Sequence, residues 1–154
     1  MFKMIRKAIV KDIEKINEIY SEGAFQEYSY HHGKKSEREI RDSVNEEINN
    51  HKKKIRRDLQ AKKQYWVVLE DKGKVIGFGS VYLWSNKGVV GSVYISKNYQ
   101  NKGYGTKILK YLTNWMKSKK VKRIESNLLV GNVPSIKLHK KLGFEPYLLR
   151  MRLK

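Results

Sequence analysis

The sequence predicts an α/β fold in which a mixed, mostly antiparallel sheet is flanked by helices. Three observations carry that expectation. The chain has 154 residues, 40% of them hydrophobic, which suffices for one domain (1–154) with a real core. Apolar residues follow helical spacing over 13–20 and about 37–63 and then switch to three consecutive strand-like runs between 65 and 95. From there helical and extended patterns alternate to the end of the chain, beginning at a glycine-bearing junction, QNKGYGT (100–106).

The run MIRKAI (4–9) reads as a short first strand, and Asp12 can cap a helix carrying Ile13, Ile16, Ile19 and Tyr20 on one face. GAFQEYSYHHG (23–33) has no clear period, is bounded by glycines, and reads as a loop or broken helix. Ser36 with Glu39 has the capping-box form and opens a helix over about 37–63. Its stripe is Ile40, Val44, Ile48, Ile55 and Leu59, and its second half, HKKKIRRDLQAKK, is strongly basic. YWVVLE (65–70), a DKGK turn and VIGFGSVYLW (75–84) form a hairpin. SNKG (85–88) then turns the chain into VVGSVYI (89–95), the third strand of an antiparallel meander. A helix over 104–119 follows, with Ile108, Leu109, Leu112, Trp115 and Met116 on one face, and VKRIESNLLV (121–130) is the next strand. Asn132 caps a short helix that carries Pro134 in its first turn and ends at Gly143. YLLRMRL (147–153) is expected to close the sheet.

The composition narrows the chemistry. There is no cysteine, so disulfides, thiolate zinc sites and a thiol nucleophile are excluded. His31, His32, His51 and His139 show no metal-ligand spacing, and no metal is expected. The N-terminal MFKMIRKAIVKDIEKI lacks the continuous apolar region of a signal peptide, and no run approaches the length of a membrane span; a soluble, cytoplasmic protein is expected. Lys and Arg number 34 against 15 Asp and Glu, a net charge of +19. Such a surface attracts polyanions such as nucleic acid or phosphorylated cofactors, although solvated lysines along the whole chain are the plainer reading.

QNKGYGT is neither a Walker loop nor a GxGxxG fingerprint, since Ile108 stands where the third glycine belongs. What remains is a pyrophosphate cradle in which the N–H groups of 101–106 converge at a helix N-terminus and Gly103 and Gly105 let phosphates touch the main chain. At this point the stretch 89–144 resembles the GNAT superfamily of acetyl-coenzyme A-dependent N-acetyltransferases. Gln100, Gly103 and Gly105 match the family's [Q/R]xxGx[G/A] signature. Asn132, Ser135, Leu138, Lys141, Gly143 and Phe144 match a second element of the form NxxAxxLYxKxGF. MIRKAIVKDIEKINEIY looks like the family's first strand and helix, so the resemblance reaches almost the whole chain.

The resemblance implies a GNAT-type fold, acetyl-coenzyme A as cosubstrate, and transfer of its acetyl group by direct attack of a primary amine, either a peptide or protein N-terminus or a small-molecule amine. It assigns the main chain of Val93, Tyr94 and Ile95 to the pantetheine arm. Gln100, Asn101, Lys102, Gly103, Tyr104, Gly105 and Thr106 go to the pyrophosphate, with Lys107 a further candidate, and Asn132 goes to a cofactor contact. His139 stands where the family places a tyrosine that protonates the departing thiolate, and a histidine of ordinary pKa, about 6.5, can do so. Gly91 and Ser92 stand where many members carry a carboxylate base; Glu27, Glu70 and Glu125 are open replacements. Without an evident base, a weakly basic α-amine is expected to react better than a lysine side chain. A diffuse +19 charge is expected to repel polycationic acceptors. A rival reading keeps the cofactor fold as a binding module whose basic surface holds nucleic acid or a ribonucleoprotein. Whether the chain forms a homodimer stays open.

Overall fold

The computed structural model describes residues 3–32 and 36–153. Five strands form one sheet in the order β1-β2-β3-β4-β5, where β1 is Met4–Lys7, β2 Gln64–Asp71, β3 Lys74–Trp84, β4 Lys87–Ile95 and β5 Arg123–Ser126. The first four strands are antiparallel neighbours and β5 runs parallel to β4. That is the mixed, mostly antiparallel sheet the sequence predicts. The parallel pair follows from the long connection between its strands, which the helix α3 (Tyr104–Ser118) occupies.

The two faces of the sheet are covered by different helices, and β2 shows why its sequence is a continuous apolar run. Trp66 and Val68 point to one face, where they pack with Ile13, Ile16, Ile19, Ile55 and Phe78 beneath α1 (Ile13–His32) and α2 (Glu37–Asp58). Val67 and Leu69 point to the other, against Ile108, Leu109, Leu112 and Met116 of α3. A strand buried on both sides needs apolar residues at every position. Truncating Phe78, fully buried at the centre of the first cluster, to alanine should cost about 3–5 kcal/mol.

Several boundaries differ from the sequence expectation. α1 continues unbroken through the stretch read as a loop, and Gly23 lies inside it; Gly33, the end of that stretch, lies outside the described residues. Asp12 does not cap α1. It closes a 3₁₀ turn, Val10–Asp12, by accepting the Ile9 N–H at 2.8 Å, and it pairs with Arg6, which also grips Glu70. The Ser36–Glu39 capping box forms in both directions. α2 ends at Asp58 rather than near 63, because the carbonyls of Arg57 and Asp58 turn to the N–H groups of Gln60 and Ala61. The closing strand does not form: 147–153 joins no sheet, and Tyr147, Leu148, Leu149, Met151 and Leu153 are all at least 69% exposed. No helix among the described residues is long and apolar enough to cross a membrane.

Candidate active site

The site is built around a place where the sheet opens. β4 and β5 pair over four residues only, from Lys87↔Arg123 to Val90↔Ser126. Beyond Val90 the strand keeps β3 on one side and loses β5 on the other. Gly91 is the extra residue of a bulge there, since Ser80 pairs with Ser92 and Val81 with Val90. Bulges bend a strand and sharpen its twist. This one sits at the last rung shared with β5, so the divergence of the two strands has a local cause. A Cβ on Gly91 would lie 2.7 Å from Ser80 Oγ, so a side chain at this position would have to displace the Ser80 hydroxyl.

The freed edge of β4 contains Ser92, Val93, Tyr94 and Ile95. Val93 and Ile95 pack on the α3 side of the sheet and Tyr94 on the α1 side. Immediately past the strand, a short 3₁₀ turn (Lys97–Tyr99) leads into the glycine-bearing junction. Gln100 Nε2 donates to the Ile95 carbonyl at 3.0 Å, which ties the turn back onto the strand end. Asn101 and Gly103 both have left-handed backbone, φ +60° and +82°. Such turns gather successive N–H groups on a concave side. The first helical bond of α3 runs from Lys107 N–H to Gly103 O, which leaves the N–H groups of Tyr104, Gly105 and Thr106 ahead of the helical ladder.

The two glycines serve different ends. A Cβ on Gly103 would meet nothing within 4 Å, and its positive φ is what the residue type provides. A Cβ on Gly105 would come 2.8 Å from Leu138 of α4 (Val133–Lys141), so Gly105 lets α3 and α4 close against each other. The sequence expectation gives both glycines to backbone approach by phosphate; in the structure a side chain on Gly103 would enter open space and one on Gly105 would meet Leu138. Lys102 lies over the Tyr99 ring at 5.8 Å, beside the turn. Lys107 instead donates from Nζ to the Lys3 carbonyl and holds the chain just ahead of β1.

On the far side of the opening stands α4. Asn132 is its N-cap, with Oδ1 accepting from Ser135 N–H at 3.3 Å. His139 is buried. Its Nδ1 is 2.8 Å from the Ser135 carbonyl and must donate to it. Nε2, 2.9 Å from Ser126 Oγ, therefore accepts from that hydroxyl in the neutral ring. Burial holds the imidazole below its usual pKa, against the opposing pull of the Ser135 carbonyl. Ser126, which no sequence motif singles out, belongs to the last β4–β5 rung, so His139 is coupled to the point where the sheet opens.

The three carboxylates open as replacements for a base are now distinguishable. Glu70 takes two hydrogen bonds from Arg6, at 3.0 and 2.6 Å. Glu125 pairs with Lys87 at 3.0 Å, and that contact holds its carboxyl below the ordinary range. Glu27 accepts a 2.6 Å hydrogen bond from the Tyr94 hydroxyl, on the strand that borders the opening.

The arrangement offers amide donors and a lysine for an anion at one end, a strand edge able to bond an extended arm in the middle, and titratable groups on both sides. Residues 14–144 match the model of the acetyltransferase (GNAT) family. An uncharacterized N-acetyltransferase, YobR, of Bacillus subtilis is 26% identical over 76 residues, covering 49% of this chain and 31% of the relative. Phosphinothricin N-acetyltransferase of Streptomyces viridochromogenes is 29% identical over 84 residues, 51% of this chain and 46% of the relative. The chain thus spans less than half the length of either relative. Among solved structures, PaiA N-acetyltransferase from Thermoplasma acidophilum in complex with coenzyme A superposes with a TM-score of 0.79 at 21% identity, covering 94% of this chain and 91% of that one. With the family model matched across most of its length, the chain belongs to the acetyltransferase (GNAT) family.

Proposed function

We propose that the protein transfers the acetyl group of acetyl-coenzyme A to a primary amine, on a peptide or protein N-terminus or on a small molecule, by direct attack. The observation that carries this reading is the one-sided opening of the sheet at Gly91, which frees the edge of 91–95 next to an amide-lined turn. The turn suits the pyrophosphate: Gly103 leaves its approach unobstructed, and Asn101, Lys102, Tyr104, Gly105 and Thr106 complete it with Gln100 bracing its base. The main chain of Val93, Tyr94 and Ile95 bonds the pantetheine arm as a further strand would, and Asn132 offers its side-chain amide from the other wall. The cosubstrate supplies an activated thioester. The chain's own contribution is to hold that group beside the strand and to move two protons, one off the amine and one toward the departing sulfur. We assign the second to His139 in its imidazolium form: the Ser126 hydroxyl gives its proton to the sulfur and is re-protonated from His139 Nε2–H, the reverse of the hydrogen bond made by the neutral ring. An acetyl-coenzyme A requirement fits a cytoplasmic setting.

The test is calorimetric. In Gly103→Val, a β-branched residue is forced into left-handed backbone and its side chain into the approach path. Acetyl-coenzyme A affinity should fall at least about tenfold, roughly 1.4 kcal/mol, while the thermal transition shows the fold retained. Unchanged affinity in a folded variant would remove the turn from the cofactor site.

A further inference from the structure

Ser126 and His139 meet in the geometry that activates a hydroxyl. In such pairs the nucleophile and its base lie about 2.6–3.2 Å apart, and a third group orients the base. Here Ser126 Oγ is 2.9 Å from His139 Nε2, and Nδ1 is 2.8 Å from the Ser135 carbonyl. A carbonyl can only accept, so it keeps the ring proton on Nδ1 and turns the Nε2 lone pair to the hydroxyl. The Asn132 cap accepts from Ser135 N–H and so anchors the residue that supplies the carbonyl. The Phe144 ring meets the imidazole edge-on at 5.0 Å and fixes its plane.

The two partners differ in access. His139 is 4% exposed, whereas Ser126 is half-buried, on the last rung before the sheet opens. Beyond that rung, alternate main-chain N–H groups of β4 face the side that β5 has left. Such donors stabilise the oxyanion that forms when a carbonyl carbon is attacked. Burial and the Ser135 carbonyl alone set the ring's proton affinity. Lys137, Lys140 and Lys141 of α4 are exposed, Glu125 beside Ser126 pairs with Lys87, and Lys107 of α3 reaches the Lys3 carbonyl. Burial wins, so near pH 7 the ring is mostly neutral, and a neutral imidazole is a base.

We propose that Ser126, activated by His139, is a nucleophile: with no amine bound it takes the acetyl group of acetyl-coenzyme A and passes it to water, a hydrolase activity beside amine transfer. It rests on the acetyl-coenzyme A reading of the site. As Oγ attacks the thioester carbon, its proton moves to Nε2. The carbon–sulfur bond breaks with its electron pair on sulfur, and Nε2–H protonates that thiolate. The result is O-acetylserine, a free thiol and a neutral ring. A water then attacks the ester carbon and gives a proton to Nε2. The carbon–Oγ bond breaks with its pair on Oγ, which takes that proton back, and acetic acid leaves and ionises. Amine transfer uses the protonated form of the same pair, so the charge on one ring divides the two activities.

The test follows thiol release from acetyl-coenzyme A in the absence of amine, by rapid mixing with a chromogenic thiol reagent, for wild type, Ser126→Ala and His139→Ala. Acid-quenched samples are examined by intact mass and peptide mapping. Wild type should show a burst approaching one thiol per chain, slower steady release, and one acetyl group on Ser126. Both alanine variants should lose about 10²-fold in steady hydrolysis, with coenzyme A affinity and the thermal transition showing site and fold intact. Ser126→Cys should still carry the acetyl group. Wild-type hydrolysis should rise with pH to a plateau by about 6.5 as the ring loses its proton, the reverse of the trend for amine transfer. Hydrolysis unchanged in Ser126→Ala would overturn the nucleophile and leave amine transfer standing. So would the absence of an acetyl group on Ser126 at every time point in a wild type that acetylates amines. Failure of wild type to bind acetyl-coenzyme A would overturn both.

Discussion

His51 is held neutral by its surroundings. The ring stacks on Tyr20 at 3.6 Å, Nδ1 lies 3.2 Å from Asn17 Oδ1, and Nε2 has no polar partner among the described residues. Burial, with the nearby Lys54 charge, lowers its pKa to about 4. A group depressed on folding stabilises the native state above its unfolded pKa of about 6.5, and that contribution is lost as pH falls toward the folded value. Denaturant unfolding should therefore show about 2 kcal/mol less stability at pH 5 than at pH 7 from this residue, and His51→Phe should remove most of that slope. His139 is predicted on the same logic but in the rate. His139→Ala should lower kcat by about 10²-fold, and His139→Tyr should retain most of the activity. Burial lowers the imidazole's pKa, so its proton-loaded fraction already falls as pH rises from below about 6.5, and wild-type kcat should decline relative to His139→Tyr from there upward. A pH–rate profile that is identical for alanine and wild type would make His139 a packing residue.

Among the elements, those announced by local chemistry are legible in the sequence. The Ser36–Glu39 box, the tight turn around Gly73, the Asn132 cap and the apolar runs of β2 to β4 all depend on residues close together in the chain. What cannot be read depends on distant partners. The helix through Gly23 is stabilised by a tyrosine about seventy residues away, β5 stops at Ser126 because β4 bends at its bulge, and 147–153 has strand composition without a strand to join. At the site, the motif turn and its flanking strand are legible, whereas Ser126 carries no signal of its own. Ten of the fifteen Asp and Glu residues fall between Asp12 and Glu47, a grouping hidden when charge is counted over the whole chain. The second half of α2 shows how partners thin out a basic run. Lys52 pairs with Glu14 and Lys54 with Asp58, while Lys53 and Arg56 have no ion pair among the described residues. If this face binds nucleic acid, Lys53→Glu with Arg56→Glu should flatten the slope of log affinity against log salt by about 0.7–0.9 for each phosphate left unneutralised. Filter binding across a salt series measures it, and an unchanged slope would mean that the attraction is diffuse.

For the molecule as a whole, the balance that matters is between a large positive charge and the outward-facing run YLLRMRL. Its five apolar side chains are more than two-thirds exposed, and its backbone joins no sheet. In colloidal terms each copy is a charged particle bearing one adhesive arm, and at low ionic strength mutual repulsion keeps the arms of neighbouring copies out of reach. Raising salt from about 0.05 M to about 0.5 M shortens the screening length to a few ångströms and removes that barrier. Static light scattering should then report rising apparent mass with added salt, the opposite of what an assembly held by ion pairs would do. Leu149→Glu with Met151→Glu should abolish the rise. A mass that falls with salt would show that charge, rather than the arm, governs how copies meet.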